Sequence, residues 1–215
     1  MIKPKLKLAL ILLLGAILGV ASSLGDVMPF GSAFYIIGGF LNTASLWCLS
    51  AFLIGTVFRS RKNAVIFPIS FLTLSVCSYY LTGYFWGNRS EVPLITLIAT
   101  SLSWIIIAVF VGSLCGLAGM TAKYSKDIKK RIVAVTIPMV IIITECFISI
   151  IQLLPYLNSN NSNYIPFGIL VSLTCTALVI PFLIYRNKRI AFYNMVLGVL
   201  LSITGAVILM ALSSV

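Results

Sequence analysis

Residues 94–120 read LITLIATSLSWIIIAVFVGSLCGLAGM and contain no charged side chain. An α-helix rises about 1.5 Å per residue, so this stretch is long enough to cross the hydrocarbon core of a bilayer, which is about 30 Å thick. Comparable apolar runs recur along the 215-residue chain. They predict an all-α fold, a polytopic transmembrane helical bundle that forms a single integral membrane domain over residues 1–215.

The composition excludes a soluble domain. Hydrophobic residues make up 60% of the chain and charged residues 9%, whereas soluble domains have about 25% charged and 45–50% apolar residues. So few charged side chains cannot cover a surface that water wets. The lipid bilayer is therefore the first partner that the sequence predicts.

Seven spans are predicted, and their connections alternate between basic and non-basic. The spans cover approximately residues 6–23, 35–58, 64–86, 94–120, 132–154, 165–185 and 190–212. Of the 15 Lys and Arg residues, 14 fall on one side of this arrangement and only Arg89 falls on the other. Because basic loops stay in the cytoplasm, we expect a cytoplasmic N-terminus and an external C-terminus in a bacterial plasma (inner) membrane.

Two other interpretations of the basic residues were considered. The net charge of +11 is typical of nucleic-acid-binding proteins, but here the basic residues cluster at helix ends, which predicts no nucleic-acid partner. The N-terminal lysines, the apolar stretch 8–20 and the small residues 21–23 also resemble a signal peptide. Cleavage would leave six spans; the interpretation that we favour retains the first helix.

The residue types argue against an enzyme. The chain has no histidine, which excludes His-dependent zinc proteases, haem ligation by His and Ser–His catalytic pairs. Its five cysteines lie within apolar runs and lack the spacing of metal ligands. No paired carboxylates or activated nucleophile are evident. We expect no catalytic residues, no metal and no cofactor.

Glu145 is the one acidic residue near the middle of a predicted span. A carboxylate at that depth costs about 2.5–3.5 kcal/mol on insertion scales, and such residues are often functional. Helical spacing places Gln152 on the same face of the fifth span. Glu145 is either a proton, cation or solute site or a hydrogen-bonding group that holds two helices together.

Further polar candidates lie in the second span and before it. Asp26 lies at the predicted outer mouth and either caps the loop or admits a cation. The second span carries the densest polar patch of any predicted helix, a plausible partner for Glu145. Its members include Asn42, Thr43, Ser45, Trp47 and Ser50.

An aromatic group ends the third span. It consists of Tyr79, Tyr80, Tyr84, Phe85 and Trp86. Amphipathic rings prefer the headgroup level of a bilayer, so an interfacial belt is predicted. A ligand-facing aromatic wall is the alternative.

Small residues four positions apart mark helix contacts in three spans. They are Gly15, Gly19 and Ser23 in the first span, Gly112 and Gly116 in the fourth, and Gly198 and Ser202 in the seventh. Packing within the chain is the prediction. Docking of a partner membrane protein or of a second copy along the first span is the alternative.

A faint internal similarity relates the two ends of the chain. Arg59, Lys62 and Ala64 follow the second span in the same spacing in which Arg186, Arg189 and Ala191 follow the sixth. If this is not coincidence, spans 1–3 and 5–7 are parallel repeats joined by the fourth span. That plan resembles the plan of SWEET-type sugar carriers.

Several short motifs together resemble a known family. They are residues 25–29 (GDVMP), 45–47 (SLW), 58–60 (FRS), 79–81 (YYL) with 84–86 (YFW), Trp104, residues 122–123 and the interval from Pro138 to Glu145. The chain resembles an uncharacterised bacterial family of small multipass membrane proteins. The resemblance implies a bacterial membrane protein and no particular substrate.

Two functions remain open at this point. The first is binding or transport of a small solute through the bundle, with Glu145 and the polar patch of the second span as its polar core. The second is an accessory or immunity-type subunit without transport activity, which docks to a partner through Gly15, Gly19 and Ser23.

Overall fold

The computed structural model describes residues 4–28, 33–86, 92–153 and 188–213, and these residues form seven helices and no strand. The helices are α1 (Pro4–Val27), α2 (Ala33–Leu41), α3 (Ala44–Thr56), α4 (Arg61–Trp86), α5 (Leu94–Tyr124), α6 (Ile128–Leu153) and α7 (Lys188–Ser213). The predicted all-helical class is confirmed. The sixth predicted span, 165–185, lies outside the described residues.

Four of these helices contain segments long and apolar enough to cross a membrane. The segments are Leu6–Val27, Arg61–Trp86, Leu94–Tyr124 and Ile128–Ile148. On α5 the side chains of Ile95 and Phe110 are more than 70% exposed, as expected for residues that contact lipid. A membrane protein is therefore supported, and the count of seven spans and the orientation of the termini stay predictions.

The prediction of one continuous helix over residues 35–58 is wrong. The helix is interrupted at Asn42 and Thr43, which separate α2 from α3. Thr43 has an extended backbone (φ −75°, ψ 138°), and its Oγ1 accepts a hydrogen bond from the Leu46 backbone N–H. Threonine caps helix N-termini in this way. We had interpreted Thr43 as a polar residue inside a span, although it starts a new helix.

The chain divides into two compact units, Met1–Met120 and Thr121–Val215. In the first unit α1 and α4 run parallel. Gly15 packs against Phe71 and Gly19 against Ser75, and a Cβ at Gly15 would lie 2.6 Å from the Phe71 carbonyl oxygen. The single integral membrane domain predicted for residues 1–215 stays a prediction.

Glycine contacts also connect the other helices of the first unit. Gly55 of α3 faces Gly116 of α5, and a Cβ at Gly112 would lie 3.0 Å from Ile69 of α4. At the beginning of α1, the Lys7 ammonium lies 6.0 Å from the centre of the Phe58 ring. Lys7 therefore lies at the same end of the first unit as Arg59 and the beginning of α4.

In the second unit α6 and α7 also run parallel. Gly198 of α7 packs on Met139 of α6, and Asn194 of α7 donates a hydrogen bond of 2.7 Å to Thr136 of α6. The last turn of α5 is capped by Arg131, whose Nε donates to the Ala122 carbonyl oxygen at 3.0 Å.

Candidate functional site

A chain of hydrogen bonds joins three parts of the first unit. The Asn42 side-chain amide donates to the Tyr79 hydroxyl at 3.4 Å. The Tyr79 hydroxyl in turn donates to the Asp26 carboxylate. Asp26 lies in the last turn of α1, Asn42 between α2 and α3, and Tyr79 in the final third of α4. We call these three residues the Asp26–Tyr79–Asn42 cluster.

Close backbone contacts explain why three distant residues meet. Parallel packing of α1 on α4 through Gly15 and Gly19 brings the C-terminal ends of both helices together. Gly25 of α1 and Gly38 of α2 then cross without side chains between them, and a Cβ on either would overlap the other's backbone. Small residues permit this approach, as they do at many membrane-helix contacts.

The helix break at Asn42 is stabilised by its own side chains. The Trp47 indole N–H donates to the Leu41 carbonyl oxygen at 2.7 Å, and the Thr43 hydroxyl donates to the Phe40 carbonyl oxygen at 2.9 Å. The Trp47 bond satisfies the Leu41 carbonyl at the end of α2, and the Thr43 hydroxyl adds a second donor to the Phe40 carbonyl, which also accepts from the Thr43 N–H at 3.2 Å. The break is therefore a defined structural feature, and it holds Asn42 outside any helix.

The ends of α1 and α4 contribute a negative potential near Asp26 and Tyr79. Parallel α1 and α4 place two helix C-termini at this end of the unit, and neither helix has a basic residue in its last turn. A helix C-terminus carries a partial negative charge. The Asp26 carboxylate adds a full negative charge and is exposed.

Two further groups surround the carboxylate. The Tyr80 ring packs edge-to-face on the Tyr79 ring, with centroids 5.3 Å apart, and aromatic faces attract cations. Ser22 lies one turn before Asp26 on α1 and is fully buried. Its Oγ has no hydrogen-bond partner within the described parts of the chain.

A family comparison covers almost the whole chain. The family DUF6518, described as a family of unknown function, matches residues 2–215. The chain belongs to DUF6518. The resemblance to an uncharacterised family is confirmed, and membership of DUF6518 assigns no activity. No curated protein and no solved structure matches this chain.

The structure brings some of the predicted site residues of this DUF6518 chain together. Asp26 and Asn42 join through Tyr79, and Thr43 and Trp47 shape the break beside Asn42. Ser45 is buried in α3. From the sequence we assigned Tyr79 to an interfacial aromatic belt. The pair Tyr79 and Tyr80, close to a predicted helix end, was the one sequence signal that could have indicated a role at the outer mouth.

Glu145 belongs to the second unit, whereas the Asp26–Tyr79–Asn42 cluster belongs to the first. Glu145 is half-buried in α6. The residues of α6 that bond to α7 are Ile132, Thr136, Val140 and Thr144. At 3.6 residues per turn, Glu145 lies on roughly the opposite face of α6 from these residues. Its pairing with the polar patch of the second span stays a prediction.

Gln152 was predicted to share a face with Glu145. Its backbone lies within α6, and its side chain is outside the described residues. The shared face of these two residues therefore also stays a prediction.

The predicted small-residue positions lie at helix contacts within the chain. Gly15 and Gly19 pack on α4, Gly112 and Gly116 also pack on α4, and Gly198 packs on α6. The face of α1 that we had considered for partner docking is therefore covered by α4. The described part of the chain offers no separate surface made by these glycines.

None of the four described cysteines forms a disulfide. Cys48 of α3 and Cys115 of α5 are both buried, and their side chains hydrogen-bond to each other. Among the described residues, no group of three His, Cys, Asp or Glu side chains is arranged to hold a metal ion. The expectations of no metal and no cofactor stay predictions.

Proposed function

We propose that the protein is a multipass protein of the bacterial plasma membrane that binds and transports a small cationic solute. The Asp26–Tyr79–Asn42 cluster is the proposed point of entry. The observation that carries the proposal is an exposed carboxylate, held in place by a tyrosine hydroxyl, at the end of the first unit opposite its basic residues.

The chemistry of the cluster supports a cation as the ligand. Asp26 supplies a negative charge where two helix C-termini already produce a negative potential. Tyr79 orients the carboxylate through its hydrogen bond, and Asn42 orients the Tyr79 hydroxyl, which reduces the reorganisation needed on binding. The aromatic rings of Tyr79 and Tyr80 offer a second favourable contact.

Ser22 supports a solute of small size. Its hydroxyl is buried one helical turn deeper than Asp26 and has no partner among the residues that the structure describes. Side chains four positions apart on a helix are neighbours, at about 5–6 Å between their Cβ atoms. We propose Ser22 Oγ as the second oxygen ligand for a small cation that moves one turn further in from Asp26.

The charge pattern supports an external position for the cluster. Lys7 contacts Phe58 at the opposite end of the first unit, next to Arg59, Arg61 and Lys62. Basic residues favour the cytoplasmic side. The Asp26–Tyr79–Asn42 cluster would then face outward and capture its solute from the exterior.

Thermal unfolding of the purified protein tests the binding step. We expect ammonium or sodium chloride to raise the melting temperature more than N-methylglucamine chloride of equal ionic strength. Selective binding to the folded state stabilises it by RT ln(1 + L/Kd), where L is the free cation concentration. The increase should disappear in Asp26→Asn.

Asp127→Asn is the matched control because Asp127 is an exposed carboxylate of the second unit, half of whose side chain is solvent-accessible. It should retain the wild-type response to ammonium. An equal response in wild type and Asp26→Asn would discard the cluster as a cation site.

A further inference from the structure

The contact between α6 and α7 contains a buried asparagine whose side-chain amide donates two hydrogen bonds and whose side-chain oxygen accepts none from the described residues. Asn194 is fully buried. Its Nδ2 donates to the Ile132 carbonyl oxygen at 2.9 Å and to Thr136 Oγ1 at 2.7 Å. Both amide hydrogens are therefore used. The Asn194 Oδ1 is buried and accepts no hydrogen bond from any residue that the structure describes.

The neighbouring bonds determine which way the Asn194 amide faces. The Thr136 hydroxyl donates its hydrogen to the Ile132 carbonyl oxygen at 2.9 Å, so its oxygen is left as an acceptor. Rotating the amide by half a turn would place Oδ1 against the Ile132 carbonyl oxygen with no hydrogen between the two, and Thr136 could donate to Oδ1 only by giving up its own bond to Ile132. The orientation with Oδ1 directed away from α6's Ile132 and Thr136 is therefore the chemically consistent one.

Other polar side chains along this contact are paired, which distinguishes Asn194. The Ser202 hydroxyl lies 2.6 Å from the Gly198 carbonyl oxygen and 3.3 Å from that of Val140. The Thr144 hydroxyl donates to the Ser202 carbonyl oxygen at 3.4 Å. A buried acceptor is normally satisfied by protein or by ordered water, and an exception calls for a bound group.

From this geometry we propose that Asn194 Oδ1 is the hydrogen-bond acceptor of a buried binding site in the second unit. The site takes one neutral O–H donor, either a water molecule or the hydroxyl group of a small polar solute. It is independent of the cation site at Asp26.

The charges nearby favour a neutral guest over a cation. Lys188 and Arg189 begin α7 about one and a half turns before Asn194, and Arg131 directly precedes Ile132. These basic side chains raise the local potential and oppose a second positive charge. A neutral hydroxyl satisfies the acceptor without that penalty.

The site can be observed without altering it. Asn194 is followed by Met195, and this is the only Asn-Met pair in the sequence. Labelling asparagine with 13C and methionine with 15N therefore identifies Asn194 in solid-state NMR spectra of the full chain in lipid. Magnetisation transfer from water to the side-chain carbonyl carbon then reports a bound water. The exposed Asn63 is the positive control, and 15N-alanine identifies it in the same way because Asn63-Ala64 is the only Asn-Ala pair.

We expect magnetisation transfer from water to the Asn194 side-chain carbonyl carbon at a rate within about tenfold of the rate for the Asn63 side-chain carbonyl carbon. Glycerol labelled with 13C distinguishes the two sources of the hydroxyl, since its carbons do not exchange with water as its hydroxyl protons do. A dipolar contact between a glycerol carbon and the Asn194 side-chain carbonyl identifies a solute site, whereas magnetisation transfer from water without that contact identifies a water site. No water transfer and no effect of glycerol on the Asn194 carbonyl shift would overturn the proposal.

Discussion

The Tyr79 hydroxyl joins side chains from two other parts of the first unit. It accepts from Asn42 and donates to Asp26, so one oxygen atom connects α1, α4 and the break after α2. A hydrogen bond to a charged group contributes about 1.5–3 kcal/mol, and less where the charge is exposed to water. Tyr79 therefore has a modest effect on stability and a larger one on the position of the carboxylate.

Tyr79→Phe tests this separation of roles. We expect the free energy of unfolding to fall by about 1 kcal/mol and the ammonium-dependent rise in melting temperature to shrink by at least half. Tyr84→Phe, on the same helix and in ring contact with Phe85, is the control and should keep the full response. A full response in Tyr79→Phe would show that the hydroxyl does not orient the site.

At the scale of the helix, the interruption at Asn42 and Thr43 separates a nine-residue α2 from α3. Hydropathy treats residues 35–58 as one apolar run and does not report the break. The capping threonine is a local signal that could have predicted it. The glycine crossing between α1 and α2 is different, because pairing Gly25 with Gly38 depends on tertiary packing.

Substitution at Thr43 tests the capping role. Thr43→Ala removes the oxygen that accepts from the Leu46 N–H, so we expect a loss of about 1 kcal/mol in the free energy of unfolding. Thr43→Ser retains a capping oxygen, so its free energy of unfolding should fall by only a few tenths of a kcal/mol. Equal losses in the two variants, measured by chemical denaturation in detergent, would contradict the cap.

Two glycines provide a matched test of helix packing in the first unit. In Gly19→Ala the added methyl would overlap the Ser75 backbone, whereas in Gly39→Ala it would meet nothing within 4 Å. We expect Gly19→Ala to cost about 1–3 kcal/mol, the usual effect of overpacking. Gly39→Ala should be neutral or should stabilise α2 by up to about 1 kcal/mol.

Thermal unfolding of the two glycine variants in parallel measures the difference. A higher melting temperature for Gly19→Ala than for Gly39→Ala would contradict the described contact between α1 and α4.

At the scale of the whole molecule, each unit contains a parallel pair of long helices. α1 pairs with α4 in the first unit, and α6 pairs with α7 in the second. These pairs correspond to the first and third spans of each predicted repeat. Ala64 and Ala191 are equivalent in the predicted repeat because each follows two basic residues in the same spacing. Both are fully buried, and each is the fourth residue of its helix, α4 or α7. The repeat interpretation requires this arrangement, and the repeat itself stays a prediction.

The sequence could predict much of the fold and part of the site for identifiable reasons. Helix positions follow from apolar runs such as residues 94–120, because length and hydropathy are local properties. Asp26 and Asn42 were candidates since polar side chains are conspicuous in an apolar chain. The hydrogen bonds that connect Asp26 and Asn42 to Tyr79 depend on which helices pack together, and so does the burial of Asn194 Oδ1 without a hydrogen-bond donor. No local sequence pattern specifies that packing.

Cysteine labelling in intact cells tests the predicted orientation. In a background without native cysteines, Asn42→Cys should react with a membrane-impermeant maleimide from outside, because Asn42 is exposed beside the proposed outer cluster. Lys126→Cys should react only after the cells are opened, since it lies in a basic loop. Labelling of Lys126→Cys in intact cells would reverse the proposed topology.

Uptake into proteoliposomes tests the central claim most directly, with radiolabelled methylammonium as the small cationic probe. Liposomes that contain the wild-type protein should accumulate the probe, and Asp26→Asn should lower the initial rate at least tenfold, toward that of protein-free liposomes. Asp127→Asn should match the wild type. Uptake by Asp26→Asn at the wild-type rate, or no uptake by the wild-type protein, would contradict the proposal that Asp26 admits a transported cation.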